Sequence, residues 1–175
     1  MNLLQYPNHS QLSPYHRGYL DLLNPNTSLF TYLEKQRSSV IELSSEIYNA
    51  KGNFRYETGK WSLFEVLVHL IDWERIMLFR IMAISRDLGH PLPSLDQDHV
   101  MISSQAPLRH LEELLKDWDA ARQSTCRFIE SLGTQDLVRS AEVASYSISA
   151  NDLCYVHVGH VAHHVKILNE RYRGF

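Results

Sequence analysis

The placement of helix breakers constrains this chain more than any other feature. Its seven glycines and six prolines fall mostly at a few junctions, and four long runs free of strong breakers lie between them. The first predicted helix spans about Thr27 to Ala50, after the turn-forming Asn24-Pro25 and before Lys51-Gly52. The second opens at Ser62, with Glu65 three residues on as a capping box, and continues to about Arg86. Gly89, Pro91 and Pro93 then end it. The third begins with Pro107 in its first turn and runs to about Ser131, stopping near Gly133. The fourth has Ser149 followed by Asp152, again box-like, and runs to about Arg173. Alternation of β-branched residues is scarce, so the economical fold is all-α, an up-down-up-down four-helix bundle. The joint from Asp87 to Ala106 is long for a bundle connection and points to a crossover or a functional loop.

With 175 residues, 44% of them hydrophobic, the chain has material for one domain with a proper core. Residues 1–23 are expected to pack on the bundle as an N-terminal segment of that single 1–175 domain. A formal charge of −3 argues against a nucleic-acid partner, which would need a clustered basic surface. No apolar run is long enough to cross a bilayer, and the N-terminus lacks the pattern of a secretory signal. Cys126 and Cys154 are isolated rather than paired in a CxxC, which fits a reducing cytoplasm.

The segment HVGHVAHHVKILNERY, 157–172, carries the chemistry. His160 and His164 are four residues apart, hence stacked on one helix face, where two imidazoles can bind one metal ion. Leu153, Val156 and Ile167 fall within about 40° of His160 at 100° per residue, so the pair interrupts an inward-facing apolar stripe. His157 shares that sector with His164 but sits about 10 Å away along the axis, too far to share an ion. A third ligand would come from another helix, and His69 in WSLFEVLVHLIDWER is the natural candidate, with Trp61 and Trp73 placed to wall a cavity beside it. The plain alternative is a pair of hydrogen-bonded core or surface histidines, since ten histidines make such pairs easy to find by chance. His163 reads as a polar-face or rim residue, with an exchange of roles between it and His164 left open. His9, His16, His90, His99 and His110 read as solvated.

Other residues read as structural. Both cysteines are small core residues, and Trp61, Phe64, Trp73 and Phe79 are ordinary core material before they are a ligand box. Glu74 stands among apolar positions and should pair with a basic group, Arg80 or Arg171. A second apolar strip on the fourth helix, Cys154, Val158, Val161, Ala162 and Val165, lies about 100° to 200° from the histidine face. It packs either on the chain's own neighbouring elements or across the two-fold axis of a homodimer.

Two motifs, in order, are similar to a known family. YETGKWSLFEVLVHLIDWERIMLFRI at 56–81 and GHVAHHVKILNERY at 159–172 resemble the two signatures of the DinB-like proteins, the DinB/YfiT superfamily. PLPSLDQDHV at 91–100 and PYHRGYLDLL at 14–23 resemble its intermediate landmarks. The resemblance implies a four-helix bundle holding a divalent metal, zinc or nickel, through His69, His160 and His164. It implies no DNA binding. Relatives include thiol-dependent transferases that use low-molecular-weight thiols such as mycothiol or bacillithiol, and proteins described as metal-dependent hydrolases; dimers are common among them. The expected function is therefore a metal-dependent enzyme acting on a small molecule, with Glu65 or Asp72 as general base in the hydrolytic version. The alternatives are a non-catalytic metal- or ligand-binding module of a stress response and a bundle whose histidines bind nothing. The segment 132–147 departs most from the family pattern, lacking an Asn- or Gly-rich turn.

Overall fold

The structure is a computed structural model that describes residues 3–89 and 91–174; His90 lies outside the described residues. Its helices are α1 (Pro14–Leu20), α2 (Leu29–Lys51), α3 (Leu63–Ser85), α4 (Gln97–Ser103), α5 (Leu111–Glu130), α6 (Thr134–Val138) and α7 (Ala150–Ile167). A two-stranded hairpin, β1 (Ser140–Val143) and β2 (Tyr146–Ser149), precedes α7. The four long helices form the expected all-α bundle. Local chemistry sets their starts: Ser28, Ser62 and Ser149 each accept the backbone N–H three residues on. At Ser62 the Glu65 carboxylate returns a bond to the cap, completing the box.

The order of the helices differs from the simple up-down-up-down arrangement. α2 and α7 run parallel: Gln36 donates to the Val158 carbonyl, and Lys51, at the far end of α2, donates to the Tyr172 carbonyl. α3 and α5 are also parallel, since Glu74 meets Arg122 while Arg86 covers the Phe128 ring. α3 opposes α7, pairing His69 with His160 and Glu74 with His157. α2 opposes α5, with Leu33 in one core cluster with Ile129, and Val40 in the other with Leu114 and Trp118. The directions are thus up-down-down-up: α2 faces α3, and α5 faces α7, across the bundle diagonal, while α3 and α5 are lateral neighbours. Because α3 and α5 point the same way, the chain must travel back along the bundle, about 30 Å, between them. That requirement explains the long joint as a crossover, and α4 lies within it.

Several local details differ from or refine the expectation. Pro107 belongs to a separate 3-10 turn, Ala106–Leu108, and α5 starts later, at Leu111. Beyond Ile167 the last helix continues through Arg173 with wider, π-type turns. Phe79 is half exposed and not core, whereas His16 is buried and not solvated. Glu74 pairs with Arg122 at 3.0 Å and His157 at 2.9 Å, not with Arg80 or Arg171, and all three side chains are buried. Burial alone would push the Glu74 carboxyl up; Arg122, and then His157, outweigh it and hold the group at about 2.

Most of the second strip of α7 is covered by its own chain. Cys154, Val158 and Val161 are buried, and α1 packs so closely on α7 that a Cβ on Gly159 would lie 2.6 Å from the Tyr19 carbonyl oxygen. α1 therefore packs on the bundle over part of this strip, while Ala162 and Val165 are half-buried.

Candidate metal centre

His69 projects from the second turn of α3, and His160 and His164 from the later half of α7, so the antiparallel crossing brings all three together. Their side chains are buried, and one ligand atom from each lies within 4.8 Å of the others. His160 Nε2 stands 3.1 Å from His69 Nε2 and 3.2 Å from His164 Nε2. Tetrahedral zinc with Zn–N bonds of about 2.05 Å separates its nitrogens by about 3.3 Å, and two of the three edges of the cluster already match that spacing. Burial pushes the His69 imidazole down to about 4, and His160 and His164 well below the ordinary range, with neighbouring imidazoles adding to the effect. All three are neutral near pH 7, the form that offers a lone pair. Three neutral rings crowding one point cannot all be satisfied by hydrogen bonds to each other, because each carries a single N–H. The residues fit a divalent cation.

Trp61 and Trp73 flank His69, their rings 4.8 Å and 5.1 Å from it, and Trp73 also stacks on His160. Tyr19 sets its ring edge against His160 at 5.5 Å. On the open side lies a cavity of about 440 Å³ that His160, His163 and His164 share with Tyr19, Tyr56, Lys60, Asp98 and Tyr172. Asp98 comes from α4, so the crossover forms part of the mouth. His163 is half-buried at that mouth; burial, then Lys166, lowers its pKa. It is thus a rim residue, as its helical angle indicates, and the three-histidine cluster takes His164.

Neither carboxylate considered as a general base lines the cavity. Glu65 is engaged by the α3 cap and by Arg55 at 2.6 Å, contacts that lower its carboxyl despite the opposing effect of burial. Asp72 faces Arg75, and burial raises its carboxyl. The cavity-lining Tyr19, Tyr56, Lys60 and Asp98 were not singled out by sequence. Tyr19 and Asp98 lie within segments that resemble family landmarks, but no spacing rule carries them to the histidines.

Fold and site together define a helical bundle with a three-histidine cluster able to hold a metal ion. The chain belongs to the DinB superfamily, whose family model matches residues 32–168. Among solved structures it is similar to YfiT from Bacillus subtilis, described as "a probable metal-dependent hydrolase with an unusual four-helix bundle topology". That match has a TM-score of 0.63 at 15% identity and covers 99% of this chain and 98% of the other. No curated protein matches the chain. Among the described residues no helix is long and apolar enough to cross a membrane.

Proposed function

We propose that this protein is a metal-dependent enzyme that acts on a small molecule, with zinc or nickel held by His69, His160 and His164. The observation that carries the reading is the convergence of three neutral imidazoles close to metal-ligand spacing, with His160 and His164 lining a cavity large enough for a substrate. When bound, the cation supplies Lewis acidity and lowers the pKa of whatever fills its open position. The chain's own residues do the rest. Trp61 and Trp73 exclude water from the back of the imidazoles and fix their orientation. His163, exposed enough to reach solvent and buried enough to stay neutral, is placed to accept and pass on a proton at the mouth. Lys60 and Asp98 offer opposite charges for orienting a polar substrate.

Hydrolysis is the favoured chemistry, and the description of YfiT as a probable metal-dependent hydrolase leans the same way. Transfer of a low-molecular-weight thiol to an electrophile would use the same open position. A cytoplasmic location suits this second chemistry and the two free cysteines. The test is elemental analysis of untagged protein, followed by assays of the zinc- and nickel-loaded forms against ester and amide panels and against electrophiles with added thiol. Metal binding without turnover in either panel would favour the non-catalytic module; absence of metal binding would defeat the proposal.

A further inference from the structure

A second cleft, of about 210 Å³, lies behind Tyr15 and Tyr19, which also wall the metal cavity. Its floor is apolar, formed by Trp73, Met77, Leu153 and Val156, and no acidic side chain lines it. Arg80 does line it, and only 7% of that residue is exposed. The one other buried guanidinium among the described residues, Arg122, is neutralised by Glu74. Arg80 has no such partner: its Nη2 donates to the Pro93 carbonyl at 2.8 Å, and no described carboxylate comes within ion-pair distance. A guanidinium carries five N–H donors in a planar fork, so one bond to a carbonyl leaves most of them unused. Anchoring the crossover at Pro93 accounts for that one bond and not for a cation turned into an apolar cleft. His16, 8% exposed, lines the same space, and its ring makes no hydrogen bond to a described residue.

Burying an unpaired cation is costly, and the cost is removed when a ligand brings the opposite charge. We propose that this cleft binds a small organic carboxylate with an apolar body, its acid group on Arg80 and its body on Trp73, Met77 and Leu153. A carboxylate matches the guanidinium fork in pairs of parallel bonds. His16 donates from its ring to the same group, and the burial that lowers its pKa, with Arg80 adding to the effect, keeps it a neutral donor. Arg80 lies eleven residues beyond His69 on α3, about 16 Å along the axis and nearly on the same face, so the acid sits apart from the histidines. The two sites communicate through Trp73, which lines the cleft and stacks on His69 and His160. The proposal does not depend on the metal reading.

The experiment titrates the full-length protein, chelated and zinc-loaded, with 3-phenylpropionate and with its neutral amide, followed by calorimetry and tryptophan emission. The acid should bind about tenfold or more tightly than the amide, with similar affinity in both metal states. R80M should lose about tenfold or more of that affinity, and L153W, which fills the cleft while keeping Arg80, should lose it too. Equal binding of acid and amide would overturn the proposal, as would loss of acid binding on chelation, which would place the carboxylate on the metal. No saturable binding up to about 10 mM would also overturn it. The acid–amide comparison uses the unmodified chain, so it stands even if a variant fails to fold.

Discussion

Gly159→Ala should destabilise the protein even though alanine is the better helix former. A Cβ built there would meet the Tyr19 carbonyl oxygen at 2.6 Å, its carbonyl carbon at 2.8 Å and its Cβ at 2.9 Å. Opening the shortest contact to a tolerable distance of about 3.0 Å requires a shift of about 0.4 Å, and two of the three obstructing atoms are backbone, which no rotamer change can move. α1 must therefore move as a unit. Overpacking of this kind costs about 1–3 kcal/mol, and a backbone clash belongs at the upper end. Against it stands a gain of about 1 kcal/mol from replacing glycine inside a helix. The net loss is about 1–2 kcal/mol, which for a chain of this size lowers Tm by about 2–8 °C. Gly18→Ala on α1 is the control, because nothing lies within 4 Å of its added Cβ. There propensity acts alone, and Tm should rise by about 2–4 °C. Thermal denaturation of the two variants beside the parent decides the matter. If Gly159→Ala is stabilised as much as Gly18→Ala, the close seating of α1 on α7 is wrong.

His160→Ala with His164→Ala should abolish zinc or nickel binding, while His163→Ala should retain most of it; equilibrium dialysis with elemental detection checks both. Glu74→Gln leaves Arg122 charged and unpaired in the core, so it should cost about 3–5 kcal/mol in chemical denaturation. Glu74→Met with Arg122→Met should cost clearly less, because no uncompensated charge remains. The metal-free protein should lose stability as pH falls from about 6.5 to about 4, because the unfolded His69 takes up its proton near 6.5 and the folded one only near 4. The unfolded state binds more protons throughout that window, so denaturation midpoints should drop across it, and a His69→Gln variant should show a shallower drop.

The four helices were legible because their caps and breakers are local: Ser62 with Glu65, Ser149 with Asp152, and the Gly-Pro joints act within a few residues. The histidine cluster was legible because i,i+4 spacing places His160 and His164 on one face, whatever the rest of the chain does. Helix direction was not, since no local signal distinguishes a crossover from a long loop until Leu92 is seen pairing with the hairpin. The hairpin itself was hidden by its turn. Ala144 and Ser145 both adopt positive φ, 49° and 71°, where Asn-Gly would be the usual signal. Glu74 was correctly expected to be paired, but its partner Arg122 lies on a helix whose neighbour could not be known without the order of the bundle. His16 misled because a histidine in a short N-terminal helix looks solvated until that helix is seen docked on α7.

The diagonal placement of α2 opposite α3, and of α5 opposite α7, also bears on how the chain reaches this shape. In a sequential bundle each αα-hairpin can form on its own and offer a template to the next. Here α2 packs along α5 and α7, and α3 along the same two, so each lateral seam except that between α3 and α5 joins segments far apart in the chain. Neither the N-terminal nor the C-terminal half should be able to collapse into a native-like half-bundle, because its two long helices belong on opposite corners. Folding should await the arrival of α7, proceed more slowly than is usual for a helical protein of this length, and leave fragments cut in the crossover unstructured until both are mixed.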